Sequence, residues 1–156
     1  MTVRPANPRD NAAIRAIVNA LIRDTTVTFA PDPKSHDDIS RIIDGPCFVA
    51  EVDGKVQGYA AYFPFRPGAG YARTVEYSIV LTQAGQGRGL GRALLDQVCH
   101  HARSAGKTTV VAGISGENTA GLAFHRAMGF EQTGHLPAVG HKFGRDIDLV
   151  IAQKRL

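Results

Sequence analysis

The stretch QGRGLGRALL, Gln86–Leu95, sets three glycines at spacing two, Gly87, Gly89 and Gly91, beside Arg88 and Arg92. Upstream, RTVEYSIVL (73–81) alternates like a strand, with Val75, Tyr77, Ile79 and Leu81 on one side and Thr74, Glu76, Ser78 and Val80 on the other. Downstream, Leu90, Leu94, Leu95, Val98 and Ala102 recur as one face of a helix ending near Gly106. The segment therefore reads as strand, glycine turn, helix start. A helix start leaves backbone N–H groups unpaired and favours negative charge, and glycine keeps side chains out of an anion's way. Two readings stand side by side: an anion cradle reinforced by Arg88 and Arg92, or a glycine-rich connection. The spacing matches neither the GxxxxGK[ST] phosphate loop nor a GxGxxG dinucleotide fingerprint in a first βαβ unit.

Working outward, TVRPA reads as a first strand. The stretch 7–25 is helical, with Ile14, Ile17, Val18, Leu21 and Ile22 on one face, Asn7 as cap and Pro8 in the first turn. Prolines 31 and 33 mark a loop, and SHDDISRIID (35–44) is a short second helix stopped by Gly45-Pro46. CFVAEVDGKVQGYAAYF (47–63) is a hairpin turning at Asp53-Gly54. After the glycine helix come a buried-type strand, TTVVAGI (108–114), a helix from Asn118 closed by Gly129, and two final strands. The order is β-α-α-β-β-β-α-β-α-β-β. The strands flanking the glycine helix are expected to be parallel and the rest to pair as hairpins.

At 156 residues the chain has the length of a single domain, 1–156. Its composition, 44% hydrophobic and 21% charged, is that of an ordinary globular protein. No apolar run is long enough for a membrane span, and the N-terminus lacks a signal layout. Cys47 and Cys99 belong to no metal or redox spacing, which fits the cytoplasm, and no His/Asp/Glu metal set is found. The net charge of +4 suits a small anionic ligand; the arginines are scattered, so no nucleic-acid patch forms.

Gln86 to Gly91 resembles the Q/R-x-x-G-x-G/A motif of the GNAT superfamily of N-acetyltransferases. The resemblance implies an α/β (α+β) fold with a mixed, mostly antiparallel sheet of about seven strands and four helices. It implies that Gln86, Gly87, Arg88, Gly89, Leu90 and Gly91 cradle the pyrophosphate of acetyl-coenzyme A. The backbone of the central strand at Ile79, Val80 and Leu81 would hold the thioester end, Asn118 the pantetheine arm, and His125 would sit near the thiol. More narrowly, TTVTF (25–29), GYARTVEYS (70–78) and VGHKFGRDIDLV (139–150) resemble the phosphinothricin and methionine-sulfoximine N-acetyltransferases. That branch implies a small amino-acid-like amine as acceptor, direct transfer, and a homodimer. Ala72 after Tyr71, Val80 and Asp146 depart from the branch's pattern near its acceptor end.

Each candidate residue also has a plainer role. Glu76 is either the base that takes the ammonium proton or a solvated strand carboxylate. His125 is either the proton partner of the departing thiolate or a helix histidine. Asn118 can cap its helix and still bind a ligand. Arg73 and Thr74 are candidates for holding an acceptor carboxylate, and Phe29 for an apolar wall of its pocket. Acetylation of a protein N-terminus or lysine, and a non-catalytic acyl-coenzyme A sensor, are the alternative functions.

Overall fold

A computed structural model describes all 156 residues. Seven strands form one sheet in the order β1-β2-β3-β4-β5-β7-β6. The strands are β1 Thr2–Pro5, β2 Cys47–Val52, β3 Lys55–Pro64, β4 Thr74–Leu81, β5 Thr109–Ser115, β6 Glu131–Lys142 and β7 Arg145–Arg155. The helices are α1 Asn11–Asp24, α2 His36–Asp44, α3 Leu90–Ser104 and α4 Thr119–Ala127. The element order and the four helices agree with the sequence reading.

Local chemistry explains most boundaries. Asn7 caps a 3₁₀ turn over Pro8–Asp10, and α1 proper starts at Asn11. Ser35 and Asp38 form a reciprocal capping box at α2. Asp53 and Gly54 both take positive φ in a tight hairpin turn. Phe143 and Gly144 do the same between β6 and β7.

Pairing is antiparallel except between β4 and β5. That parallel ladder covers only Thr74–Glu76 against Thr109–Val111. Beyond it β4 runs on to Leu81 paired with β3 alone, and β5 runs on to Ser115 paired with β7 alone. The two central strands therefore fork.

Apolar residues fill both faces. On one, Val75, Tyr77, Val110 and Ala112 pack against Leu90, Leu94, Leu95 and Val98 of α3 and Met128 and Phe130 beyond α4. On the other, Val49, Tyr59, Ala61 and Val80 pack against Ile14, Val18, Ile22 and Ile39. Val80 is thus buried rather than on a polar side: the alternation of β4 holds from Thr74 to Ser78, and then α1 covers the strand's other face.

Candidate active site

The glycine turn lies at the mouth of the fork. Gly87 and Gly89 have φ of +69° and +77°, and a Cβ at either would meet nothing within 4 Å. Glycine is needed there for the backbone conformation, and the space it leaves is open. The N–H groups of Gly87, Arg88 and Gly89 find no acceptor in the protein, and the first bond of α3 is Ala93 N–H to Gly89 O. The donors of Leu90, Gly91 and Arg92 precede that bond, so an unsatisfied run of N–H groups spans the turn. Arg88 and Arg92 are exposed and take part in no ion pair. These features fit a pyrophosphate. Gly91 differs from the other two: its Cβ would lie 3.1 Å from the Phe124 ring, so it lets α3 and α4 approach. The Leu90 side chain is core, which leaves it only a backbone contribution.

Along the fork, the backbone of Ile79, Val80 and Leu81 is paired on its β3 edge and has no strand partner on the other. Asn118 caps α4 through Oδ1, which accepts from Gly121 N–H at 2.9 Å. Its Nδ2 lies flat against Gly121, where no Cβ would fit, and donates to no protein acceptor. Capping and a free amide donor coexist in one side chain.

Glu76 is the last residue of the parallel ladder and is exposed. Its Oε1 and the Leu149 Cδ1 each lie 3.5 Å from the position of a Cβ on Gly113. The carboxylate therefore stands over the bare backbone of β5, on the face opposite Tyr77. Thr74 shares its face, half-buried. Arg73 is exposed and unpaired in charge, while the backbone around it is tied down: Thr108 N–H bonds Arg73 O and the Lys107 ammonium bonds Ala72 O, both at 2.8 Å.

His125 is a buried helix histidine with both ring nitrogens hydrogen-bonded. It is 7% exposed, with Nδ1 2.7 Å from Gly121 O and Nε2 2.6 Å from the Tyr77 hydroxyl. A carbonyl only accepts, so Nδ1 carries the proton and Nε2 accepts from Tyr77. Burial pulls the imidazole below the ordinary histidine value and pushes the Tyr77 phenol up. Both nitrogens are committed, and the ring lies across the sheet from Glu76.

Phe29 is half-buried, and its ring covers Gly140, where a Cβ would come within 2.5 Å. Gly140 pairs with Ile147, and Leu149 follows on the same face. A continuous strip thus leads from Phe29 to Glu76. Of the departures noted in the sequence, Ala72 is exposed, Val80 is core, and Asp146 accepts from His141 at 2.9 Å across the hairpin. Both cysteines are buried, and burial pushes the Cys47 thiol up to about 12 and also raises Cys99, so neither is an activated nucleophile. No group of three or more His, Cys, Asp or Glu side chains could hold a metal ion.

Tyr77, Gly113, Leu149 and Lys142 were not singled out in the sequence. Strand parity could have aimed Tyr77 at α4; Leu149 and Lys142 lie in the 139–150 segment noted for its resemblance, and nothing local marks Gly113.

Residues 14–130 match the model of the acetyltransferase (GNAT) family. The L-methionine sulfoximine/L-methionine sulfone acetyltransferase of Salmonella typhimurium is 37% identical, covering 100% of this chain and 95% of that protein. A crystal structure of a ribosomal-protein-alanine N-acetyltransferase from Brucella melitensis superposes with a TM-score of 0.95 at 35% identity, covering 100% of both chains. A GNAT superfamily phosphinothricin acetyltransferase from Sinorhizobium meliloti, in complex with acetyl-coenzyme A, superposes with a TM-score of 0.92 at 33% identity. It covers 99% of this chain and 88% of that one.

Proposed function

The chain belongs to the acetyltransferase (GNAT) family, and from that premise we propose that it acetylates the primary amine of a small amino acid or analogue, using acetyl-coenzyme A. The observation that carries the reading is the unsatisfied run of N–H groups from Gly87 to Arg92 at the mouth of a strand fork with Glu76 at its base. The turn, with Arg88 and Arg92, binds the pyrophosphate; Asn118 Nδ2 donates to the pantetheine arm. The unpaired edge of β4 at Ile79, Val80 and Leu81 orients the thioester and stabilises charge on its carbonyl oxygen.

Glu76, directly or through one water, takes a proton from the acceptor ammonium. The freed nitrogen forms a bond to the acetyl carbon, the carbon–sulfur bond breaks as the tetrahedral adduct collapses, and the thiolate takes up, through water, the second proton that the nitrogen sheds in becoming an amide. Arg73 and Thr74 hold the acceptor's carboxylate, and Phe29 walls its side chain. His125 is a positioning residue, acting through Tyr77 at the base of the fork. The raised thiols of Cys47 and Cys99 support direct transfer over an acyl-cysteine route.

The similarity to the Brucella melitensis structure favours one second reading, acetylation of a protein's N-terminal alanine. A coenzyme A release screen over amino acids, analogues such as methionine sulfoximine and phosphinothricin, polyamines, and peptides beginning with alanine separates the two. Amino-acid analogues as the best acceptors uphold the proposal; peptides as the best acceptors replace it; no release with any amine removes both. Exposed Val27, Leu136, Val139 and Phe143 around the β6–β7 hairpin support a working homodimer, which light scattering tests. No helix is long and apolar enough to cross a membrane, and the free, buried thiols support a cytoplasmic site of action.

A further inference from the structure

Lys142 is a lysine in an unusual place. It closes β6 and is only 4% exposed, yet it takes part in no ion pair. Its ammonium instead donates to the backbone carbonyls of Thr25 at 2.6 Å and Thr28 at 2.9 Å, across more than a hundred residues of chain. A buried cation is costly unless its donors are satisfied, and here backbone oxygens do most of that work. The Phe143 ring adds to it, with its centroid 5.0 Å from Nζ. Burial pulls this amine below the ordinary lysine value.

The segment it grips is the one that carries Phe29. Thr25–Phe29 has no helix or strand of its own, so its position depends on what holds it. Two further ties flank the segment. Arg145, the first residue of β7, pairs with Glu117, and the nearby Thr26 side chain helps Arg145 hold the Glu117 carboxyl below its usual range. On the far side, Asn19 of α1 bonds both Lys34 N–H, at 2.7 Å, and Lys34 O, at 3.0 Å. Glu117 immediately precedes Asn118, so the same bracket touches the start of α4. Two residues before Lys142, Gly140 supplies the bare backbone that the Phe29 ring covers.

We propose that Lys142 is a positioning residue for the acceptor site: with Gly140, it fixes the Thr25–Phe29 segment so that Phe29 walls the pocket leading to Glu76. The inference rests on the proposed acetylation of a small amine. The hairpin, and not the loop's own sequence, sets the width of the pocket. Replacing Lys142 frees the loop; adding a side chain at 140 displaces the ring while leaving the lysine alone.

The test compares wild type with Lys142→Met, Lys142→Arg and Gly140→Ala, by steady-state kinetics and by hydrogen exchange of peptides covering 25–30 and 109–115. Lys142→Met is expected to raise the acceptor KM about tenfold or more, leave the acetyl-coenzyme A KM unchanged, and speed exchange in 25–30 alone. Lys142→Arg restores most of both, because it keeps the donors and the charge. Gly140→Ala shifts the acceptor KM in the same direction without faster exchange at 25–30. If Lys142→Met does not fold, Gly140→Ala and Lys142→Arg still decide. An unchanged acceptor KM in Gly140→Ala, or equal rises in both KM values for any folded Lys142 variant, overturns the proposal. Absence of wild-type turnover with every small amine overturns the functional reading and the acceptor assignment together. Faster exchange in Lys142→Met would in that case still show that the hairpin holds the loop.

Discussion

The Tyr77 hydroxyl donates to Nε2 of His125 at 2.6 Å, joining the first residue beyond the β4–β5 ladder to the last turn of α4. Gly121 O fixes the opposite nitrogen at 2.7 Å, so the imidazole is held neutral in one tautomer.

That geometry has a pH signature. Burial lowers the folded pKa of His125 below its unfolded value of 6.5. Between the two values the unfolded chain binds the extra proton, so stability rises with pH there. Stability is expected to be level above pH 6.5 and to fall as pH drops below it, with this group adding a slope of roughly 1.4 kcal/mol per unit. Thermal unfolding from pH 5 to 8 checks it. A Tyr77→Phe/His125→Leu double variant should lose this part of the slope; if it keeps the wild-type profile, the buried pair is not its source.

The pair should also act as a unit in turnover. Tyr77→Phe and His125→Phe each leave one buried polar group without its partner, and each should slow turnover by about tenfold, with the double variant little worse. Losses that multiply in the double variant would mean that the two residues act separately, and a far larger loss for His125→Phe alone would restore a direct part in proton transfer.

Glu76→Gln should lower turnover by ~10²–10⁴-fold with little change in acetyl-coenzyme A affinity. The defect should shrink at high pH, where the acceptor amine is already neutral. Because a Cβ at 113 would make only ordinary contact with Glu76 Oε1, at 3.5 Å, Gly113→Ala should fold normally, while Gly113→Val should crowd the acceptor and mimic the loss. Thiol release measures all three, and an undiminished rate in Glu76→Gln takes Glu76 out of the mechanism.

Gly89→Val forces a β-branched residue to φ near +77°, at a cost of roughly 1–2 kcal/mol, and puts its side chain into the space the pyrophosphate needs. Calorimetric titration should show acetyl-coenzyme A affinity lost by a folded protein. Equal binding by a folded variant would move the cofactor site elsewhere.

Arg73→Ala should raise the KM for amino-acid acceptors about ten- to a hundredfold, the worth of one charged hydrogen-bonded pair, and spare the KM for acetyl-coenzyme A. A decarboxylated amine should be indifferent to the change. Equal sensitivity of both acceptors would show that Arg73 does not meet the carboxylate.

What the sequence disclosed and what it withheld follow from the range of the interactions involved. The glycine turn, the Asp53-Gly54 hairpin and the Asn7 cap were legible because each depends on neighbours a few positions away. The parallel strands flanking α3 followed from chain handedness, but the length of their ladder did not: it stops at Glu76 and Val111, while β5 goes on pairing with β7, a strand more than thirty residues away. Gly91 and Gly89 looked alike in sequence, yet one serves helix packing and the other takes positive φ beside open space, because Phe124 arrives from a different helix at Gly91 alone. His125 could be picked out, though its burial against Tyr77 could not. Lys142 lies in a segment noted for its resemblance, but its burial had no local sign, since its partners lie at Thr25 and Thr28.

The three rungs that join Thr74–Glu76 to Thr109–Val111 are the only strand pairing between the β1–β4 part of the sheet and the β5–β7–β6 part. The backbone seam is short, and side chains carry the rest of the join: Val75 and Tyr77 of β4 pack with Val110 and Ala112 of β5 beneath α3. Acetyl-coenzyme A bound at the fork, as proposed, would touch both sides, so its occupancy would add to resistance against opening by mass action. The enzyme's lifetime before proteases should therefore lengthen when acetyl-coenzyme A is plentiful and shorten when it is scarce, so that its abundance follows the supply of the acetyl donor with no separate regulator.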